Sequence, residues 1–145
     1  MMRGFFGIGI YNPKMDVNVG GLYRHAFNFG AAYAFTIGGR YRRTAADTVA
    51  AARHLPVFEF KDIQSFFESI PVGAVVCGVE LDGRAELLNY FEHPERAVYI
   101  LGAEDVGLNE IIIARCDKLI RIDTHFSMNV ASTAAVVMYD RQLKQ

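Results

Sequence analysis

The chain reads as an α/β domain built on a mostly parallel sheet with helices on both faces, and three observations predict it. Short apolar runs such as AVVCGVEL at 74–81, AVYIL at 97–101 and KLIRI at 118–122 have the length and the Ile and Val content of buried strands. Segments with helical spacing stand between these runs, which is the alternation that covers a parallel sheet on both faces. Two polar loops, LGAEDVGL and FSMNVAST, each follow an apolar run. Ligands in open α/β sheets sit beyond the carboxyl ends of strands, where such loops lie. Gly102 and Gly107 would let the first loop turn tightly and approach a ligand, although both glycines could equally serve a turn with no ligand.

Each element follows in order. FFGIGI at 5–10 is a first strand entering the loop YNPKMDVNVGG. The helical pattern begins near 19–22 and stops at Gly30. AAYAFTIGG at 31–39 supplies a second strand and its turn, the alanine-rich 44–53 a short helix, and 57–60 a third strand. A helix follows over 63–70, with Asp62 as its N-cap, Phe66, Phe67 and Ile70 as its core stripe and Pro71 as its stop. After the strand at 74–81 come a weak short helix at 87–91, the HPE turn and the strand at 97–101. Residues 109–115 form a helix, KLIRI the last strand and 129–143 the last helix. No linker, repeat or low-complexity stretch interrupts these elements, so one domain over 1–145 is expected.

Hydrophobic residues make up 52% of the 145 and charged residues 21%. That is apolar for a chain of high surface-to-volume ratio, and a symmetric dimer interface would account for the excess. No apolar run reaches the roughly 18 residues that cross a bilayer, and no signal-peptide pattern opens the chain, so a cytoplasmic protein without a membrane partner is expected. Cys77 and Cys116 are far apart in apolar settings and read as free core thiols. The four histidines lack metal-site spacing, and no metal is expected. The formal charge of −1 hides a basic N-terminal half carrying Arg24, His25, Arg40, Arg42, Arg43 and Arg53. Such a patch can bind phosphates, and a solvated surface explains it about as well.

Familiar nucleotide and hydrolase motifs are missing. LGAEDVGL is not followed by Gly-Lys-Ser/Thr, GIGIYN lacks the third glycine of a dinucleotide fingerprint, and Ser127 has no G-x-S-x-G setting. Three polar clusters remain: Asn18 to Arg24, Gly102-Ala-Glu104 with Gly107, and Ser127-Met128-Asn129. Arg24 is a fixed cation suited to a phosphate or an oxyanion, or to a surface ion pair. Glu104 could orient a polar group or sit as a favourable charge at a helix start. Asn129 could cap the last helix and brace a ligand loop together.

In this order the clusters resemble the motifs of the SpoU/TrmH family of SPOUT RNA methyltransferases. Asn18-Val-Gly20 with Arg24-His-Ala26 and Phe29-Gly30 is similar to the first motif, YILGAEDVGLNEIIIARCDKLIRI to the second, and SMNVASTAAVVMYD to the third. The match runs over 5–140. Departures are Asp123 where proline is common, Met128 where leucine is usual, and His25 where threonine is common.

The resemblance implies a deep trefoil knot at about 77–140, a homodimer through the first and last helices, and S-adenosylmethionine held in the knot. The cofactor pocket would be lined by Gly78, Val79, Leu101, Gly102, Ile120, Ile122, Ser127, Met128 and Ala131. The implied reaction is methylation of a ribose 2′-hydroxyl in RNA, with Arg24, Asn18, Glu104, Ser127 and Asn129 as catalytic or site-shaping residues. Arg24 would anchor charge rather than act as a base, since arginine does not give up its proton. Relatives of this minimal size generally modify tRNA, often the ribose at the first anticodon position. Ribosomal RNA, or a catalytically silent knotted dimer, is the alternative.

Overall fold

The computed structural model describes residues 4–39, 50–103 and 106–145. Arg40, Arg42, Arg43, most of the helix expected over 44–53, and Glu104 lie outside the described residues.

FFGIGI alternates large residues with glycine, and the sheet explains the alternation. Strand β1 (Phe5–Tyr11) sends Phe6, Ile8 and Ile10 into one core cluster. On its other face a Cβ at Gly7 or Gly9 would collide with the rings of Tyr33 and Phe35, which lie across from β1 on the parallel strand β2 (Tyr33–Ile37). Those rings belong to an aromatic group with Phe60 and Phe66, supplied by β3 (Val57–Phe60) and helix α2 (Ile63–Glu68). Asp62 caps α2, its carboxylate accepting the Ser65 N–H at 2.8 Å.

Strands β4 (Val75–Val79), β5 (Glu86–Leu87), β6 (Arg96–Gly102) and β7 (Lys118–Arg121) complete a seven-stranded sheet of order β3-β2-β1-β6-β4-β7-β5, parallel in every pairing. Strand β7 enters between β4 and β5, two strands already laid down before it. That order is consistent with the threading implied by the family resemblance.

Helices α1 (Asp16–Asn28) and α4 (Val130–Lys144) cover one face, and α2 with α3 (Glu110–Arg115) the other. Helix α1 starts ahead of the expected 19–22. The pair Gly20-Gly21 weakens the local helical signal, but packing supplies the reason for it: a Cβ on Gly21 would stand 3.1 Å from that of Ala131, so the glycine lets α1 and α4 cross closely. The weak helix expected at 87–91 is a single 3₁₀ turn, Leu88–Tyr90, preceded by β5. Two residues of strand are too few to show a period. Cys77 is buried and Cys116 partly so, both free, and burial pushes each thiol up to about 12. They are inert at neutral pH.

Candidate active site

Strands β4, β6 and β7 end side by side, with Val79 level with Leu101 and Ile120. Beyond their carboxyl ends lies a cleft of about 310 Å³. Its walls include Val79, Leu101, Gly102, Ile122, Ser127 and Met128, six of the nine residues expected for a cofactor.

The other three stand behind the lining for identifiable reasons. Successive strand residues face opposite sides of a sheet, so with Val79 toward the cleft Gly78 faces α3, where a Cβ would meet the Cys116 sulfur and the Leu119 side chain. Ile120 is fully buried in the same row as Val79 and Leu101. Ala131, in the first turn of α4, is spent on the contact with Gly21.

The loop after β6 doubles back tightly. The Gly107 N–H donates to the Ala103 carbonyl at 2.8 Å, and Gly107 has a φ of +64°, which favours glycine. A Cβ on Gly102 would run into the backbone of Gly107 and Leu108, so the two arms of the loop touch only because Gly102 has none.

Asn129 connects the first motif to the third. Its Oδ1 accepts the Ala131 and Ser132 N–H groups at 2.9 and 3.1 Å, capping α4, while its Nδ2 donates to the Asn18 Oδ1 at 2.8 Å. Asn18 is buried on α1, 7% exposed. The cap expected of Asn129 is therefore present, and the same side chain also ties the start of α4 to α1. Arg24 lies farther along α1, exposed to solvent and outside the lining of the cleft. Burial, and then the charge of Arg24, hold the neighbouring His25 below its ordinary imidazole value, so an uncharged ring flanks the guanidinium at neutral pH.

Sequence reasoning did not single out Glu80. It follows β4, lines the cleft, and accepts the Leu108 N–H at 2.6 Å and the Leu81 N–H at 3.0 Å. A Cβ on Gly107 would collide with this carboxylate. The only advance signal was its place at a strand end, facing a glycine loop. Arg121, Thr124 and Thr133 also line the cleft unforeseen. The Thr124 hydroxyl donates to the Phe126 carbonyl at 2.7 Å, holding the segment after β7, and the Thr133 hydroxyl donates to the Asn129 carbonyl at 3.0 Å within the first turn of α4.

Comparison with known proteins gives the geometry a family context. Residues 6–139 match the family described as SpoU rRNA Methylase. No curated protein matches the chain by sequence. Among solved structures, one described as giving structural insights into the 2-OH methylation of C/U34 on tRNA superposes with a TM-score of 0.83 at 21% identity, over 97% of this chain and 96% of that one. The A. aeolicus TrmH/SpoU tRNA modifying enzyme gives 0.85 at 17% identity, over 99% and 78%. An AdoMet-bound rRNA methyltransferase from Sinorhizobium meliloti gives 0.85 at 17% identity, over 97% and 57%, so this chain spans little more than half of that protein. At these identities the superpositions establish the fold.

Proposed function

This chain belongs to the SpoU rRNA methylase family, an S-adenosylmethionine-dependent family of RNA methyltransferases, and we propose that it methylates a ribose 2′-hydroxyl of tRNA. The observation that carries the reading is the cleft beyond β4, β6 and β7, which gathers Val79, Leu101 and Gly102 at the strand ends and Ile122, Ser127 and Met128 from the segment after β7.

These residues fit an adenosyl group. Aliphatic side chains of Val79, Leu101, Ile122 and Met128 would flank a flat ring, and the strand ends and loops supply backbone donors and acceptors for its edge. Missing side chains at Gly102 and Gly107 let the loop after β6 close on itself and on Glu80 at the edge of the cleft. S-adenosylmethionine, when bound, supplies the electrophilic methyl group.

The chain's own residues then align the acceptor. A ribose hydroxyl is a weak nucleophile at neutral pH, and placing it in line with the methyl group provides much of the acceleration. Asn18, fixed by Asn129, sits where the first and third motifs meet. Arg24 anchors the phosphate beside the target ribose, and proton loss from the hydroxyl is assisted by that phosphate rather than by arginine. By the family motifs Glu104 would brace its loop, and Ser127 and Asn129 theirs.

Because Arg24 stands outside the cleft of its own chain, it serves the cleft of a second copy. The proposed homodimer forms through α1 and α4, whose exposed Val17, Phe27, Val136, Tyr139 and Leu143 offer apolar surface for it. A single knotted domain over 1–145, threaded at about 77–140, completes the reading. It is consistent with a cytoplasmic site of action, where tRNA is available, and no described helix is long and apolar enough to cross a membrane. The choice of tRNA is supported by the near end-to-end superposition on the structure concerned with C/U34 of tRNA.

The test is transfer of a labelled methyl group from S-adenosylmethionine to unmodified total tRNA and, in parallel, ribosomal RNA, followed by digestion to nucleosides. A labelled 2′-O-methyl nucleoside from tRNA alone is the expected result. Label confined to ribosomal RNA overturns the substrate, and label on a base overturns the reaction.

A further inference from the structure

We propose that Glu80 reads the charge of the methyl donor, favouring a cationic sulfonium over the neutral thioether left after transfer. This rests on the reading that the cleft binds S-adenosylmethionine.

Three parts of the fold hold Glu80 in place. Its own N–H donates to the Ile120 carbonyl of β7 at 3.0 Å. Its carboxylate accepts the Leu108 N–H from the loop after β6 and the Leu81 N–H from its own strand end. Gly107, with φ at +64°, leaves the space that the carboxylate occupies.

Both of these donors are neutral backbone groups. Among the described residues no arginine or lysine pairs with Glu80. The one cation in the described lining, Arg121, directs its Nε to the Ala85 carbonyl at 3.3 Å. Glu80 is thus a half-buried carboxylate, rigidly held, that lines the cleft and makes no ion pair among the described residues. Such a group attracts a cation more strongly than it would in bulk water, because the cleft walls displace solvent.

Methyl transfer changes the relevant charge. The carbon–sulfur bond breaks, the carbon–oxygen bond forms, the sulfur keeps the electron pair and becomes neutral, and the hydroxyl proton leaves. Donor and product are otherwise the same molecule. A carboxylate that senses the sulfur therefore retains the donor and releases the product, a difference of affinities that bracing the loop cannot create.

Calorimetric titration of the full chain with S-adenosylmethionine and with S-adenosylhomocysteine tests this. Glu80→Gln removes the charge and keeps an oxygen for the Leu108 N–H; Glu80→Ala removes both. For Glu80→Gln the expected result is donor affinity lower by about fivefold with product affinity changed less than twofold. The wild-type chain gives a second readout, since raising salt should weaken donor binding more than product binding. Equal losses for both ligands in Glu80→Gln, or no loss for either, together with a salt-independent ratio, overturn the proposal and leave the cofactor site standing. Failure of the wild-type chain to bind either ligand overturns the cofactor reading itself.

Discussion

The two ends of the sheet are built on opposite plans. At the carboxyl end, backbone and glycine shape an open cleft, and side chains such as Glu80 and Asn129 fix the segments around it. At the other end, side chains close on one another. Arg141, 2% exposed, donates to the carbonyls of Pro94 and Glu95 at 2.7 and 2.9 Å and to the Tyr99 hydroxyl at 3.1 Å. Tyr99 lies 2.6 Å from the His93 Nδ1, and the His93 Nε2 lies 2.7 Å from the Asp140 carboxylate. Lys144 pairs with Asp140 at 2.8 Å and donates to the carbonyls of Leu88 and Phe91.

One polarity satisfies this whole chain of groups. Arg141 donates to Tyr99, the Tyr99 hydroxyl to a neutral His93, and the His93 Nε2–H to Asp140. Helix α4 joins the two ends: Asn129 caps it at the cleft, while Asp140, Arg141 and Lys144 fasten its last turns. Polar groups at one end border an open cleft, and at the other they are consumed in holding the helix that frames it. Breaking either end should therefore leave a different signature.

Arg24→Ala gives the largest expected effect. Methyl transfer falls by about 10²–10³-fold through lost transition-state stabilisation, while donor affinity and melting temperature stay near wild type. Single-turnover assays and calorimetry check the split. Arg141→Met acts at the other end and costs about 3 kcal/mol, because the Pro94 and Glu95 carbonyls lose a buried donor. Denaturant unfolding reads that loss, with donor affinity of the folded chain unchanged. Asn129→Ala touches both ends through α4. It costs about 1–2 kcal/mol from the lost cap and the lost bond to Asn18, and it also weakens donor binding.

The smallest effect is on pH dependence. Burial lowers His93 below its ordinary value near 6.5 despite the opposing pull of Asp140, with Lys144 and Arg141 adding to the lowering. The unfolded chain then binds a proton more readily than the native one as pH falls below about 6.5, so stability is complete above that pH and declines on acidification toward the native value. Protonated His93 would need an acceptor at Nδ1, where Tyr99 now donates. His93→Gln should remove this part of the acid sensitivity in melting curves recorded between neutral and mildly acid pH.

The strands and the cleft were largely legible because both depend on local pattern. Buried parallel strands declare themselves as apolar runs, and a loop that needs Gly102 and Gly107 must show them. Asp62 and Asn129 also announced their caps, since the side chain and the helix it starts are adjacent in sequence. What could not be read depends on contacts between distant residues. Nothing local joins Asn18 to Asn129, and nothing near Glu80 shows that Leu108 will come to it. HPE reads as a turn, yet His93 belongs to a buried network because Tyr99 and Asp140 close around it. Arg141 looks like a surface residue of a terminal helix until the carbonyls of Pro94 and Glu95 are placed beside it.

Hydrogen–deuterium exchange of the full chain, with and without S-adenosylmethionine, tests the division between the two ends most directly. The site assignment predicts new protection at 79–81, 101–108 and 121–129, and little change at 88–96 or in the last turns of α4. Protection centred on the His93 and Arg141 end, or no protection at the three cleft loops under saturating donor, would contradict it.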